Sequence, residues 1–239
     1  MGMNRRDLIK GTLAAGAALA VTPARATVPA TPIGLGPRDR RLFAIAKEQL
    51  ERRGSGLWLR DVVGIADYGL RSSEPRLHFV DFERGVVDSY RVAHGAGSDP
   101  EHDGWLKWFS NVEESLCSSK GAYMTFGWYT GRYGTSIRLE GLDATNSNAL
   151  PRAIVMHRAA YCEPEHLARY GRLGRSNGCF AMSDADFKLA LVRLAGGRLL
   201  YADKLGIGLD GQTVAEPPQD LKLLIPDDVP QPPLVPGAF

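Results

Sequence analysis

The stretch Arg76–Gly95, RLHFVDFERGVVDSYRVAHG, constrains the fold most strongly. Two short runs rich in β-branched and aromatic residues flank the turn Glu83-Arg84-Gly85, the pattern of a β-hairpin. The period of the chain has changed by this point. Upstream, PRDRRLFAIAKEQLERRG repeats Leu42, Ile45, Ala46 and Leu50 at helical spacing, with Pro37 suited to the first turn and Gly54 to the stop. Downstream, IRLEGL and RAIVMH are further short apolar runs, the second apolar enough for a buried strand. Several strands joined by glycine-containing turns predict a mainly β domain with flanking helices, built as a sandwich or barrel. Two late helices are expected. EPEHLARYG has Pro164 in its first turn and ends at Gly171. SDADFKLALVRLAGG has Ser183 as N-cap, a Phe187/Leu191/Leu194 stripe and a Gly196-Gly197 stop, and RLLYAD after it reads as a strand.

The ends have different chemistry. MGMNRRDLIKGTLAAGAALAVTPARA places Arg5 and Arg6 before a short Ala/Gly-rich apolar run and closes on Ala24-Arg25-Ala26. This is the layout of a cleavable export signal, and NRRDLIK resembles the twin-arginine type. The apolar run is too short to span a bilayer, so no stable membrane anchor is expected after its removal. The expected location is the periplasm or cell envelope. Residues 1–26 carry +3, so the formal +2 of the whole chain becomes −1 in the mature protein. That balance gives no reason to expect a nucleic-acid partner. At the other end, seven prolines follow in the 24 residues from Glu216, a composition that cannot build a core element. The expected divisions are an export signal (1–26), an N-terminal helical extension (27–57), a catalytic domain (58–203) and a Pro-rich tail (204–239).

Export to an oxidising compartment makes the three cysteines, Cys117, Cys162 and Cys179, informative. Either Cys117 and Cys162 pair and leave Cys179 over, or all three are free. Cys179 closes the polar turn Arg175-Ser176-Asn177-Gly178, an unusual setting for a structural thiol. His157 ends the buried run IVMH, so a rigid strand would hold its imidazole. A histidine beside a cysteine can accept the thiol proton and give a thiolate–imidazolium pair. Gly178 permits a sharp turn, and the N–H groups of Asn177, Gly178 and Cys179 could then converge on an oxyanion.

These residues carry a family likeness. IVMH followed by GRLGRSNGCFAM resembles the catalytic domain of L,D-transpeptidases, the YkuD-type cysteine acyltransferases of bacterial cell walls, and the likeness covers most of residues 58–203. It implies a mainly β, sandwich- or barrel-like YkuD fold with Cys179 as nucleophile and His157 as base. The histidine would be oriented by a backbone carbonyl, here that of Arg158. Ser176 and Gly178 match the family's turn. The implied partner is a peptidoglycan stem peptide, cleaved at its L,D amide and transferred to a second stem's amine, with no metal or cofactor. The chain departs from the family at Asn177 and Arg158, where many members have histidine and glycine. It departs again at Ala181, where many have an arginine that holds the donor stem.

Arg175 is the candidate replacement clamp, with a plain surface charge as the other reading. Tyr129 and Tyr133 either line the donor groove or pack in the core. His94 is expected at a strand mouth near the cleft. His94, His102 and Asp103 match no zinc spacing. Ser110 and Asn111 either hydrogen-bond substrate or brace a loop, the brace being the preferred reading, and His78 and His166 are expected to be structural. Two alternatives stand beside transpeptidation. One is an L,D-carboxypeptidase or endopeptidase in which water is the acceptor. The other is a wall-binding protein with an inactive site. A thiol-redox role lacks a C-x-x-C pair. No oligomeric state is implied.

Overall fold

The computed structural model describes residues 34–217. The export signal and the Pro-rich part of the tail lie outside the described residues.

Among the described residues eight strands form one sheet: β1 (Val62–Asp67), β2 (Leu77–Asp81), β3 (Val86–Tyr90), β4 (Gly121–Gly131), β5 (Gly134–Gly141), β6 (Val155–Arg158), β7 (Phe180–Met182) and β8 (Leu199–Asp203). Their order is β3-β2-β1-β8-β4-β5-β6-β7. The expected hairpin is β2–β3, paired from Leu77↔Tyr90 to Asp81↔Val86. Within this sheet β1–β8 and β6–β7 are parallel pairs, and the other neighbours run antiparallel. The mainly β architecture with flanking helices is therefore present, with these strands in a single sheet.

Each face of the sheet carries a helix. Helix α1 (Pro37–Arg53) turns Leu42, Phe43, Ala46 and Leu50 onto Val63, Ile65, Val80 and Leu199. Helix α3 (Asp184–Arg193) sets Phe187 and Ala190 against Tyr123, Phe180 and Leu200 on the other face. Ser183 caps α3 by accepting from Asp186 N–H at 3.2 Å. Helix α2 (Pro164–Tyr170) is short, and Gly171 closes it in the left-handed region. The buried stripe of α1 makes it part of the core rather than an appendage. The chain after β8 is also anchored: the buried Asp67 carboxylate accepts N–H bonds from Leu205, Gly206 and Ile207 at 2.7–2.9 Å. These bonds satisfy a carboxylate that burial would otherwise penalise.

Two strands carry no clear pattern in the sequence. β1 reads VVGIAD and is buried at every position, so it has no alternation to detect. β4 contains Gly121, Gly127 and Gly131, and its register shifts between Thr125 and Trp128. Glycine inside a strand weakens the sequence signal and marks such irregularities.

Candidate active site

The site forms where β6 and β7 run side by side at one edge of the sheet. Met156 pairs with Phe180, and His157 with Ala181. Met156 and Phe180 fill the main core. Side chains alternate along a strand, so His157, Ala181 and the adjoining Cys179 take the opposite face. Cys179 immediately precedes β7, one strand spacing across and two residues back from His157, roughly 8 Å along the diagonal. His157 is thus on β6 and Cys179 at the end of the turn that enters the neighbouring strand β7.

The register extends further. Tyr129 pairs with Ser136, and Ser136 with His157. Tyr129, Ser136, His157 and Ala181 form one lateral row across four strands. Ser136 is buried beside the histidine, and no sequence signal points to it, because cross-strand neighbours share no local motif.

His157 is held on two sides. Its Nδ1 lies 2.9 Å from the Arg158 carbonyl. That contact requires Nδ1 to be the donor, which leaves the Nε2 lone pair as the basic position. Tyr133, in the turn between β4 and β5, stacks on the imidazole at 4.4 Å between ring centroids and 17° between planes. Tyr133 is 43% exposed, so it covers the histidine from the solvent side. Only the backbone of Arg158 faces this chemistry. Its side chain is exposed and lies 3.6 Å from Asp184.

The turn before Cys179 is locked from below. Ser176 N–H donates to the His94 carbonyl at 2.9 Å, and Ala96 N–H to the Ser176 carbonyl at 2.7 Å. Ser176 Oγ donates to the Cys179 carbonyl at 2.7 Å and accepts from Gly178 N–H at 3.1 Å. The Gly178 amide is therefore engaged, which removes it from the three amides expected to converge on an oxyanion. Gly178 sits at φ +105°, and a Cβ there would meet the Cys117 carbonyl at 2.5 Å. No other residue type fits this turn without displacing backbone. Asn177 is exposed at its tip.

Both titratable groups are buried, Cys179 to 6% exposure and His157 to 3%. Burial pushes the Cys179 thiol up, partly offset by the Val155 N–H and the Arg152 guanidinium. Burial pushes the His157 imidazole down, partly offset by the Arg158 carbonyl. Desolvation thus disfavours both charged forms of the expected thiolate–imidazolium pair.

Several expected substrate contacts are placed elsewhere. Arg175 does not face the cleft as a clamp: its guanidinium donates to the Asp99 carbonyl and, at 3.2 Å, to that of Pro100. It braces the loop on which the turn rests. His94 is 1% exposed, with Nδ1 2.8 Å from Arg76 and Nε2 3.1 Å from Asp99. Burial and the Arg76 guanidinium lower its pKa to about 4, so it is a neutral strut and not a cleft residue. Tyr129 lies under the Arg138 guanidinium at 5.1 Å and borders a cavity of about 430 Å³ with Trp128 and Leu150. Neither Tyr129 nor Tyr133 belongs to the core. Ala181 is fully buried against Ala93, Cys162 and Leu173, so that position has no space for an arginine. All three cysteines are free.

A charged group at the site has no sequence signature. Arg152 donates to the carbonyls of Ser110 and Cys117 at 2.8 and 2.5 Å, and to Ser119 Oγ at 2.7 Å. It borders Gly178: a Cβ built there would lie 3.1 Å from its Nη2. Nothing in LPRAIVMH marks this arginine, because its partners lie 33–42 residues upstream.

Among the described residues no helix is long and apolar enough to cross a membrane. No curated protein matches the chain. Among solved structures it is similar to an L,D-transpeptidase from Mycobacterium smegmatis, with 12% identity over 60% of this chain and 58% of that one, TM-score 0.37. It is also similar to the helical cell shape determining protein Pgp2 from Campylobacter jejuni, with 14% identity over 71% and 56%, TM-score 0.39. An L,D-transpeptidase from Mycobacterium tuberculosis H37Rv shares 18% identity over 60% and 57%, TM-score 0.32. The chain thus spans less than two thirds of each of these relatives. Residues 2–22 match the twin-arginine translocation signal, which directs export. Residues 41–202 match the L,D-transpeptidase catalytic domain, and the chain belongs to that family.

Proposed function

We propose that the protein is a peptidoglycan L,D-transpeptidase that works through a thioester on Cys179. The observation that carries this reading is a histidine on β6 whose Nδ1 is fixed by the Arg158 carbonyl, one strand across from the turn that delivers Cys179 to the start of β7, in a domain of this family. His157 Nε2 takes the thiol proton as Sγ attacks the carbonyl carbon of the L,D amide in a stem peptide. The N–H groups of Asn177 and Cys179 receive the developing oxyanion. The C–N bond breaks, the proton passes from His157 to the departing D-alanine amine, and a thioester remains. A second stem's amine then attacks the thioester, loses its proton to His157, and Cys179 leaves as the thiol.

Tyr133, stacked on His157, and Tyr129, joined to His157 through Ser136 in the lateral row, form the aromatic wall along which the donor lies. Arg152 supplies a positive charge bordering the turn and favours the thiolate as it forms. The direct test is to mix mature protein with disaccharide tetrapeptides and weigh the products. A cross-linked dimer lacking one D-alanine supports the reading. A tripeptide without dimer means that water takes the acyl group, and replaces transfer with hydrolysis.

The resting charge state gives a second test. With the thiol raised and the imidazole lowered, the reactive thiolate is scarce at neutral pH and grows as pH rises. Alkylation of Cys179 by iodoacetamide should climb steadily from about pH 6 to about pH 9, close to tenfold per pH unit. A plateau beginning below about pH 7 would mean a preformed ion pair, contrary to the burial of both groups.

A further inference from the structure

The register of β4 breaks two strands from His157, and the break leaves a cation exposed. Thr125 pairs with Leu139 and Trp128 with Ile137, so Phe126 and Gly127 both stand opposite Arg138. Such a bulge re-aims the side chains around it and recurs next to active sites. The cavity of about 430 Å³ lies at this bulge, lined by Phe126, Gly127, Trp128, Tyr129, Arg138 and Leu150. A Cβ on Gly127 would meet nothing within 4 Å, so the space is open at the bulge itself.

Arg138 is the charged residue of that lining. It is exposed, and among the described residues its guanidinium meets no carboxylate, carbonyl or hydroxyl. Its contact is the face of Tyr129, 5.1 Å from the ring centroid. Stacking of this kind orients a guanidinium without using its N–H donors. The arginines nearer the Cys179 turn are already engaged: Arg152 and Arg175 donate to backbone carbonyls, and Arg158 faces Asp184. Ile137, Leu139 and Met156 point into the core, so Ser136, Arg138 and His157 take the other face of their strands. Arg138 also pairs with Val155, whose N–H favours the Cys179 thiolate. The free guanidinium therefore stands on the face of His157, one strand from the residue whose amide meets the nucleophile.

We infer that Arg138 is a specificity residue that reads the free carboxylate at the end of the donor stem. Charge complementarity selects this occupant: a ligand entering the cavity meets one cation and no anion in its lining. The terminal D-alanine of a stem tetrapeptide carries a carboxylate next to the amide that breaks. The planar fork of Arg138 takes both oxygens of that carboxylate in two parallel N–H···O bonds. Tyr129 supports the guanidinium from behind, and Trp128 and Leu150, 65% and 45% exposed, flank the pair with apolar surface. Arg138 takes no part in proton transfer. The inference rests on the proposed reaction for the identity of its ligand, and its test reads binding rather than turnover.

Mature protein carrying Cys179→Ala is titrated, with NMR detection, against a stem tetrapeptide and against the same peptide ending in D-alaninamide. The acid should bind at least about tenfold more tightly than the amide, as a bidentate charge-assisted contact requires. Arg138→Gln in the same background should weaken the acid about tenfold and leave the amide unchanged, so the preference disappears. Arg138→Lys keeps the charge but not the fork and should fall between. Arg138 is exposed, so neither change threatens the fold. Arg132→Gln is the comparison: Arg132 also lies over a ring, 5.9 Å from that of Tyr133, but outside the cavity lining. It should keep the full preference. No binding of the tetrapeptide, equal binding of acid and amide, a preference that survives Arg138→Gln, or one lost equally in Arg132→Gln overturns the assignment. Acid-selective binding through Arg138 without any acyl-transfer product would overturn the proposed reaction and leave this inference standing. Product formation without that binding would do the reverse.

Discussion

Cys179→Ala should abolish acyl-enzyme formation, lowering donor turnover by at least about 10³-fold, while the protein stays folded. The proposed thioester chemistry assigns the attack to this thiol alone. The thiol's contact with the Ala153 carbonyl is a weak hydrogen bond, 3.8 Å long. Its removal should cost no more than about 1–2 kcal/mol of stability. Intact mass after incubation with a tetrapeptide donor reads the result: the parent gains the donor less D-alanine, and the variant gains nothing. The other two thiols supply the controls. Cys117 is 3% exposed and lies 3.4 Å from the Ser115 carbonyl, so Cys117→Ser can keep that hydrogen bond. Cys162 is enclosed with Ala93, Leu173 and Ala181, where burial pushes its thiol far above the ordinary value. Such a thiol is inert. An acyl adduct that persists in Cys179→Ala and disappears in Cys117→Ser would move the nucleophile to Cys117 and end the proposed mechanism.

What was legible in the sequence is what local spacing encodes. The period of α1, the β2–β3 hairpin, the Ser183 cap and the Gly178-Cys179 turn all follow from residues within a few positions of one another. His157 and Cys179 stood out for the same reason, each closing or opening a short apolar strand. What failed depended on partners distant in sequence. Arg175 has the position and chemistry of a substrate clamp, but Asp99 and Pro100, about 75 residues upstream, hold its guanidinium. His94 was expected at a strand mouth near the cleft; it lies four residues past the end of β3, and Arg76 and Asp99 close over it. The charge state of the candidate catalytic pair depends on desolvation, which spacing does not encode. Tyr133 is the intermediate case: its aromatic character suggested the groove or the core, and the hairpin's geometry decided for the histidine.

Arg152 is the residue whose loss should reveal most about how the turn works. Its guanidinium fans into the segment Ser110–Ser119, with hydrogen bonds to two carbonyls and to two hydroxyls, Ser119 at 2.7 Å and Ser115 at 3.4 Å. That segment carries the Cys117 carbonyl, the backbone atom nearest to where a Cβ of Gly178 would lie. Arg152 thus holds the floor under the turn and also lowers the Cys179 thiol from where burial alone would put it. The two roles predict different signatures. Arg152→Ala removes the charge, so the thiol pKa climbs further. Alkylation at a fixed pH below that pKa then falls, and a pKa higher by one means a rate lower by about tenfold. The same change leaves the Ser110 and Cys117 carbonyls without their donor and should cost about 2–4 kcal/mol of stability. Arg152→Lys keeps the charge but not the planar fork. It should retain most of the parent's alkylation profile while losing part of the stability. Thermal melts beside iodoacetamide pH profiles separate the cases. If Arg152→Ala melts earlier but alkylates along the parent's profile, the guanidinium is a brace alone, and the thiolate is favoured by the Val155 amide without it.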